Sequence, residues 1–299
     1  MKTPSYLQKG DCVAIISTAR KISLNEIKPA IELLESWGLK VVIGKTIGAV
    51  FHQFAGSLET RIEDFQTVLD DSTIKAIWCA RGGYGTVQLI DKINFSGFKN
   101  NPKWIVGYSD MTVLHAHIHN FKIETLHATM PINIPANTEE SKESLKNALF
   151  GNQLNYEFPS HQLNILGMAS GLLIGGNLSV LYSLLGSNSS IETSKKILFM
   201  EDLDEYLYHI DRMMQNLKRN AYFENLVGII VGGFTQMRDN EIGFGKTAEE
   251  IILEMVKPYG IPVVFNAPFG HLEDNRALIF GRNIQLISDE KSVQIQFEN

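Results

Sequence analysis

Two short stretches decide the fold of this chain: residues 74–85, IKAIWCARGGYG, and residues 104–110, WIVGYSD. Each begins with a largely apolar run of strand length, which is typical of a buried strand. Each run ends in a turn that contains glycine, and a polar segment follows. Strands of this kind predict a parallel sheet. We expect the two turns to lie outside the carboxyl ends of its strands, where α/β proteins bind their ligands.

Strands and helices alternate around these two stretches in the first half of the chain. The pattern predicts strands over residues 12–17 and 40–43, and helices over 24–37 and 61–69. Such alternation predicts a parallel sheet with right-handed crossovers and an α/β fold class.

The alternation weakens between residues 131 and 166, and we place a domain boundary there. The expected domains are residues 1–150 and 151–299. Beyond the boundary the pattern predicts strands over residues 197–200, 227–232 and 261–265, a helix after Gly176, an amphipathic helix around residues 210–217, and a helix that begins at Thr247. Short β-like runs close the chain.

Composition narrows the function classes. The 299 residues are 44% hydrophobic and 20% charged, which is typical of a globular protein, and the net charge of −6 argues against a nucleic-acid partner. Cys12 and Cys79 lie in apolar runs and are interpreted as free thiols. The first residues lack the apolar stretch of a signal peptide, and the apolar region 171–186 is too short and polar to span a bilayer. We therefore expect a cytoplasmic protein with no membrane partner.

The first candidate for chemistry is Ser109, in Gly107-Tyr108-Ser109-Asp110, where a predicted strand gives way to a helix. A serine on a tight strand-to-helix turn exposes its hydroxyl and leaves the next backbone N–H free to bind an oxyanion. Serine and aspartate are also favoured where helices begin, so a helix cap explains the same residues. Taken alone, the motif favours the cap.

The second candidate is the glycine-rich turn Arg81–Gly85. Successive small residues leave backbone N–H groups pointing at open space, which suits an anion or a developing oxyanion. A plain tight turn explains these residues equally well, and the dinucleotide pattern GxGxxG is absent.

An acid and a histidine in the second half complete the candidates. Glu201 and Asp202 end a predicted strand, and His271 follows another strand and a glycine. Acidic residues at a strand end often only cap a helix, and a lone histidine is more often structural. The order Ser, Glu, His along the chain nevertheless matches one known arrangement of serine hydrolases.

Two further patterns are rejected. Residues 245–247, GKT, lack the first glycine of a P-loop, because Asn240 stands there; a capping box formed by Thr247 and Glu250 explains them. The histidines at 115, 117 and 119 have no accompanying HExxH motif, so we expect no metal site. No cofactor is expected.

Taken together, these segments resemble the LD-carboxypeptidase family of serine peptidases, which includes murein tetrapeptide carboxypeptidases and microcin-immunity carboxypeptidases. The matching blocks occur in family order over nearly the whole chain: RGGYG at 81–85, GYSDMTVLH at 107–115, GNLSVL at 176–181, EDLDEYLYHIDRMMQNL at 201–217 and FGH at 269–271. Each block is weak alone, but five in order are specific.

The resemblance implies an α/β N-terminal domain that carries the nucleophile Ser109. It also implies a β-rich α+β C-terminal domain that carries Glu201, the triad carboxylate, and His271, the base. The active site is then expected at the domain interface. The backbone N–H groups of Gly83 and Asp110 match the family's oxyanion hole. Family members are commonly dimers, so a homodimer is expected.

The resemblance also implies a reaction, the release of the terminal D-alanine from murein tetrapeptide by hydrolysis of an L,D-peptide bond during cell-wall recycling. A carboxypeptidase must bind a free carboxylate, and Arg81 or the start of the helix after Ser109 is expected to help. The alternative is a microcin-immunity-type hydrolase of peptidyl or aminoacyl adenylates. The second half contains no tryptophan for stacking a base, which favours the murein peptide. A non-catalytic binding protein and a nucleotide-dependent enzyme are weaker alternatives.

Two departures from the family pattern bear on the substrate. Leu207 stands where the family usually has proline before Tyr208, and residues 127–130, HATM, replace an HGPM-like segment. Neither change touches the expected triad, but the second is expected to alter the substrate pocket.

Overall fold

The structure is a computed structural model that describes residues 1–298. Its strands are β1 (Cys12–Ile16), β2 (Lys40–Ile43), β3 (Ile74–Cys79), β4 (Trp104–Gly107), β5 (Thr125–His127), β6 (Asn155–Pro159), β7 (Gly167–Asn177), β8 (Lys196–Leu203), β9 (Gly228–Thr235), β10 (Val263–Val264), β11 (Leu278–Phe280), β12 (Asn283–Ser288) and β13 (Ser292–Phe297). Its helices are α1 (Leu24–Ser36), α2 (Leu58–Asp70), α3 (Ser96–Asn100), α4 (Thr112–His119), α5 (Glu139–Phe150), α6 (Leu178–Leu184), α7 (Leu207–Arg219) and α8 (Ala248–Val256).

The first sheet has six strands in the order β11-β5-β4-β3-β1-β2. Strands β1 to β5 run parallel, and β11 pairs antiparallel with β5. In the sheet register Ile16 lies beside Cys79, and Trp78 lies beside Val106. The carboxyl ends of β1, β3 and β4 therefore lie together at one edge, and the loops that follow them converge there.

The second sheet has seven strands in the order β10-β9-β8-β7-β12-β13-β6. Strands β7 to β10 run parallel, and β12, β13 and β6 pair antiparallel. Glu201, near the carboxyl end of β8, lies beside Asn177 at the end of β7. The expected fold class, an α/β part followed by a β-rich part, is confirmed.

The two sheets are joined at the place where the candidate residues lie. The backbone N–H of Asn177 donates to Thr112 Oγ1 of α4 over 2.9 Å. Val113 of α4 packs in the same buried cluster as Leu178 and Leu181 of α6. Strand β11 also crosses between the parts, because it follows the second sheet's β10 in sequence but pairs with β5 of the first. The helix after Ser109 thus packs directly on the second sheet.

Local sequence explains most of the helices. Ser23 and Glu26 form a capping box at the start of α1, and Thr247 and Glu250 form the expected box at the start of α8. On α7 the expected apolar face, residues 210–217, packs inward. None of the helices within residues 1–298 combines the length and apolar character needed to span a bilayer.

Two large elements were not expected from the sequence. Helix α5 is polar, and only its cap, Thr138, and its left-handed C-terminal Gly151 mark its ends. Strand β7 carries four glycines and no β-branched residue before Ile174, so its sequence gives little strand signal.

Candidate active site

Ser109 occupies a strained position between β4 and α4. Its φ is +63°, a left-handed conformation that is uncommon for a residue with a side chain. It begins a 3₁₀ turn, Ser109–Met111, and its hydroxyl caps no helix. The strand-to-helix turn therefore presents the half-buried serine side chain toward the carboxyl edge of the first sheet.

The glycine-rich turn after β3 lies against this serine. A Cβ atom on Gly82 would come within 3.1 Å of Ser109 Cβ and 3.2 Å of its Oγ. Gly83 has a φ of +108°, which favours glycine. Within residues 1–298, neither the N–H of Gly83 nor that of Asp110 donates to a protein acceptor. Asp110 follows the serine directly and Gly83 follows Gly82, so each of these unbonded donors is one residue away from the contact between Ser109 and Gly82; an oxyanion site is built from such donors.

The Asp110 side chain holds the end of the glycine-rich turn in place. This carboxylate is buried and accepts a hydrogen bond from the Thr86 N–H over 2.9 Å. Its burial raises its pKa, opposed by its bonds to Thr86 and Gly85. The guanidinium of Arg61 also donates to the Gly85 carbonyl over 3.1 Å. These contacts therefore anchor the glycine-rich turn at its end, at Gly85 and Thr86.

In the second sheet, Glu201 and His271 form a hydrogen-bonded pair. His271 Nδ1 lies 2.6 Å from Glu201 Oε2, and the His271 backbone N–H donates to the same oxygen over 3.2 Å. The Glu201 side chain is fully buried, while 15% of the His271 side chain remains exposed. Burial by itself would lower the pKa of His271, but the charges of Glu201 and Asp202 and the bond to Glu201 raise it above its ordinary value.

Gly270 makes this pair possible. Its φ is +99°, and a Cβ atom there would lie 2.7 Å from both Cγ and Oε2 of Glu201. Its N–H donates to the buried side chain of Asn275 over 2.8 Å. Glycine at this position lets the backbone pass directly over the carboxylate before His271.

The ring of Tyr108 supports His271 on one face. The two ring centroids are 4.8 Å apart and the rings are inclined by 64°. The buried Tyr108 hydroxyl donates to Asn133 over 3.2 Å, and burial raises its pKa. Tyr108 adjoins Ser109 in the chain, so it links the two parts of the site.

The serine and the histidine face one cavity of about 460 Å³. The residues that line it are Arg20, Arg81, Gly82, Gly83, Tyr108, Ser109, Asp110, Met130, Ile132, Asn133, Asn177, Ser179, Val180, Asp202, Leu203, Asp204, Glu205 and His271. Within residues 1–298 the Ser109 hydroxyl forms no hydrogen bond, so it is not joined to His271 in this structure. Catalytic hydrogen bonds are often longer before substrate binds.

Arg81, the expected carboxylate binder, lines this cavity but has a bond elsewhere. Its Nη1 donates to the backbone carbonyl of Lys21 over 3.2 Å. It also borders a smaller cavity of about 290 Å³ that includes Lys21 and Val50. Arg81 therefore stands at the rim of the main cavity.

In the sequence Asp202 was considered together with Glu201 as an acid that either caps a helix or orients the histidine, and in the structure it caps a helix. Its Oδ2 accepts from the Ser179 N–H of α6, and its Oδ1 accepts from Asn177 Nδ2, each over 2.9 Å. Burial and the neighbouring charge of Glu201 raise its pKa to about 7. It thus adds a titrating group beside Glu201 that sequence patterns did not indicate.

Arg20 is a second cavity residue that sequence reasoning missed. It follows the carboxyl end of β1, at the sheet edge where ligands were expected. The rule that predicted a role for the turns after β3 and β4 could also have found it.

Two histidines of α4, His115 and His117, bond to separate partners. His115 bonds to Thr125 Oγ1 and to the Gly107 carbonyl, and burial lowers its pKa to about 4. His117 bonds to Ser189 Oγ over 2.9 Å. His127, the first residue of the HATM segment that differs from the family pattern, is fully buried, and neither of its ring nitrogens has a partner within residues 1–298. It packs 5.9 Å from the ring of Tyr108.

Comparisons with known proteins all indicate the same family. Residues 13–128 match the LD-carboxypeptidase N-terminal domain, and residues 170–286 match the LD-carboxypeptidase C-terminal domain. The chain is 32% identical to a probable murein peptide carboxypeptidase of Bacillus subtilis, across 98% of this chain and 94% of the relative. It is 28% identical to the murein tetrapeptide carboxypeptidase of Pseudomonas aeruginosa, across 92% of each chain.

Solved structures share the fold. A muramoyltetrapeptide carboxypeptidase from Oxalobacter formigenes superposes with a TM-score of 0.86 at 23% identity, across 96% of this chain and 99% of the other. The microcin C7 self-immunity protein MccF, solved with aspartyl sulfamoyl adenosine, superposes with a TM-score of 0.87 at 23% identity, across 98% of each chain.

Proposed function

The chain belongs to the LD-carboxypeptidase family of serine peptidases, and on this premise we propose that it releases the terminal D-alanine from murein tetrapeptide by hydrolysing an L,D-peptide bond. The observation that carries the proposal is the bonded pair of Glu201 and His271, which faces the Ser109 side chain across one cavity. Relatives named for murein peptides support this choice of substrate.

In the proposed mechanism His271 acts as the base. Its Nδ1 is bound to Glu201, so its Nε2 is left to take the proton from Ser109 Oγ as that oxygen attacks the scissile carbonyl carbon. Glu201 holds the tautomer and stabilises the imidazolium that forms. The N–H groups of Gly83 and Asp110 bind the oxyanion, and each such donor typically contributes about 10²–10³-fold in rate.

The intermediate then breaks down in two stages. The C–N bond breaks as His271 returns the proton to the amine of the departing D-alanine, which leaves the shortened peptide esterified to Ser109. Water, deprotonated by His271, attacks this ester. The C–O bond to Ser109 breaks, the serine recovers its proton, and the tripeptide leaves as a carboxylate.

Mass spectrometry of the protein incubated with murein tetrapeptide tests the proposal. The wild type should remove one D-alanine, and Ser109→Ala should lower turnover by about 10⁶-fold, the scale on which loss of a serine nucleophile acts. Ser183→Ala is the matched control, because Ser183 is exposed on α6 and, among the described residues, its hydroxyl bonds only to the Val180 carbonyl. Near-normal turnover by Ser109→Ala would contradict the assignment of the nucleophile.

The aminoacyl-adenylate alternative has weaker support. Among the described residues, the aromatic rings that line the main cavity are those of Tyr108 and His271, and they pack on each other. No lining ring is thus free to stack on a nucleobase. If a folded wild-type protein left the tetrapeptide intact but cleaved an aminoacyl-adenylate analogue, the alternative would replace the main proposal.

Three further properties, namely the domain bounds, the location and the oligomeric state, are proposed together with the function. Residues 1–150 and 151–299 form the two domains, the protein acts in the cytoplasm, and it assembles as a homodimer. These proposals rest on the family resemblance and on a substrate that arises in cell-wall recycling. Light scattering on the purified protein tests the dimer, for which a mass near 67 kDa, twice that of the 33.5 kDa chain, is expected.

A further inference from the structure

One cation in the main cavity has no partner. Within residues 1–298 the Arg20 guanidinium forms no hydrogen bond and no ion pair. Arg81 differs, because it donates to the Lys21 carbonyl at the cavity rim. Arg20 is therefore the arginine of this cavity whose donors are all available to a ligand.

The Arg20 side chain lies against the proposed oxyanion site. A Cβ atom on Gly83 would come within 2.6 Å of Arg20 Cδ and 2.7 Å of its Nε. The side chain thus covers Gly83, whose N–H is a proposed oxyanion donor. In a C-terminal residue, three covalent bonds separate the scissile carbonyl carbon from the carboxylate carbon, a distance of at most about 4 Å. A carbonyl bound at Gly83 therefore brings that carboxylate within reach of Arg20.

The charges of the cavity favour the same orientation. Asp202, Asp204 and Glu205 lie on the side formed by β8 and the segment after it. Asp204 is already bound to Arg238 and Glu205 to His209, so among the described residues this side offers a substrate carboxylate no unpaired cation. An anionic end group is consequently directed toward Arg20.

We propose that Arg20 binds the free carboxylate of the terminal residue that the enzyme releases, and so restricts cleavage to the end of a peptide. The planar guanidinium would donate two parallel N–H bonds to the two carboxylate oxygens. This proposal rests on the proposed function. It makes Arg20 the main specificity residue for the carboxylate and leaves Arg81 a secondary role at the rim.

The test compares murein tetrapeptide with its C-terminal carboxamide. Hydrogen bonds to a charged group correspond to about 10- to 100-fold in kcat/KM, so the wild type should prefer the acid by that factor. Arg20→Gln should abolish the preference by slowing cleavage of the acid alone, and Arg20→Lys should restore part of it. Lys21→Gln, which removes the adjacent cation, should keep the full preference. An unchanged preference in Arg20→Gln, or its loss in Arg81→Gln alone, would overturn the proposal.

A binding experiment separates this inference from the proposed reaction. D-alanine and D-alaninamide are titrated into the wild type and Arg20→Gln, and binding is followed by NMR. The wild type should bind D-alanine more tightly, and the variant should bind the two equally. If the wild type cleaves neither peptide, the proposed function fails, yet the titration still decides the role of Arg20. Equal binding of both ligands by the wild type would overturn that role.

Discussion

The two halves of the candidate site are held in different ways. The serine half, on the first sheet, depends on backbone conformation: Ser109 has a φ of +63°, its hydroxyl has no partner within residues 1–298, and Gly82 lies against it. The histidine half, on the second sheet, depends on side-chain contacts: Glu201 is fully buried and bonds twice to His271. Ser109 is thus positioned by local backbone geometry, and His271 by hydrogen bonds to a carboxylate that is distant in the chain.

This difference predicts that the two halves respond differently to substitution. The backbone of the strained turn holds Ser109 in place, so small shifts of the neighbouring groups should leave its position unchanged. A buried carboxylate has no such freedom, because removing or displacing it leaves the imidazole without its partner. We therefore expect the histidine half to be the more sensitive of the two.

Among changes to the groups that position Ser109 and His271, the largest effect is expected from neutralising the carboxylate of the histidine half. Glu201→Gln should lower kcat by about 10⁴-fold, as for other triads whose acid becomes an amide, because the wrong imidazole tautomer is then favoured. The acid limb of kcat/KM against pH should also move to lower pH, since Glu201 helps to raise the pKa of His271. Glu124→Gln, which removes a buried carboxylate bound to Arg282, is the control. Equal losses in the two variants would point to general destabilisation.

A smaller effect is expected from crowding the same carboxylate. Gly270→Ala places a methyl group 2.7 Å from Glu201 Oε2 and should lower kcat by about 100-fold, the scale of a displaced catalytic group. Gly260→Ala is the matched control, because Gly260 also has a positive φ, +66°, but nothing lies within 4 Å of its added Cβ. Steady-state kinetics and urea unfolding compare them. If both variants keep wild-type kcat, the contact with Glu201 has no catalytic importance.

The corresponding change in the serine half should cost less. Gly82→Ala places a methyl group 3.1 Å from Ser109 Cβ, so the neighbours must move by only a few tenths of an ångström. We expect kcat to fall by roughly tenfold, less than the loss from a full ångström of displacement. Gly97→Ala, with a similar 3.3 Å contact to Asp70, controls for crowding elsewhere. A loss as large as that of Gly270→Ala would break the proposed contrast between the halves.

The smallest effect concerns pH and stability. The pKa of Asp202 is raised from 3.8 to about 7, so between these values the folded protein holds a proton that the unfolded chain has released. The stability of the wild type, relative to Asp202→Asn, should therefore fall as pH rises toward 7 and level off above it. Urea unfolding of both proteins between pH 5 and 9 measures this difference. Parallel curves would show that Asp202 does not titrate in this range.

The sequence predicted those parts of the molecule whose signals are local. The turns after β3 and β4 follow apolar runs, and the capping box of Thr247 needs only residues three apart. Strand β7 was missed because its glycines are needed for close contacts with other elements, as when a Cβ on Gly176 would meet Thr112 Oγ1 at 2.4 Å. Helix α5 was missed because most of its surface is polar.

The site itself could be only partly anticipated. The pairing of Glu201 with His271, 70 residues later, was expected from the order of the family's motifs and not from any local pattern. The position of Arg20 over Gly83 and the raised pKa of Asp202 depend on burial and on distances between loops that are far apart in the chain. Such properties arise only once both sheets are assembled.

The central claim is that Ser109 is a nucleophile activated by the pair of His271 and Glu201. Labelling with a fluorophosphonate, followed by peptide mapping, tests it most directly, because the probe reacts with activated serines whatever the natural substrate. We expect a single modified residue, Ser109, in the wild type, and labelling slowed by orders of magnitude in His271→Ala. Labelling at another serine, or an unchanged rate in folded His271→Ala, would contradict the claim.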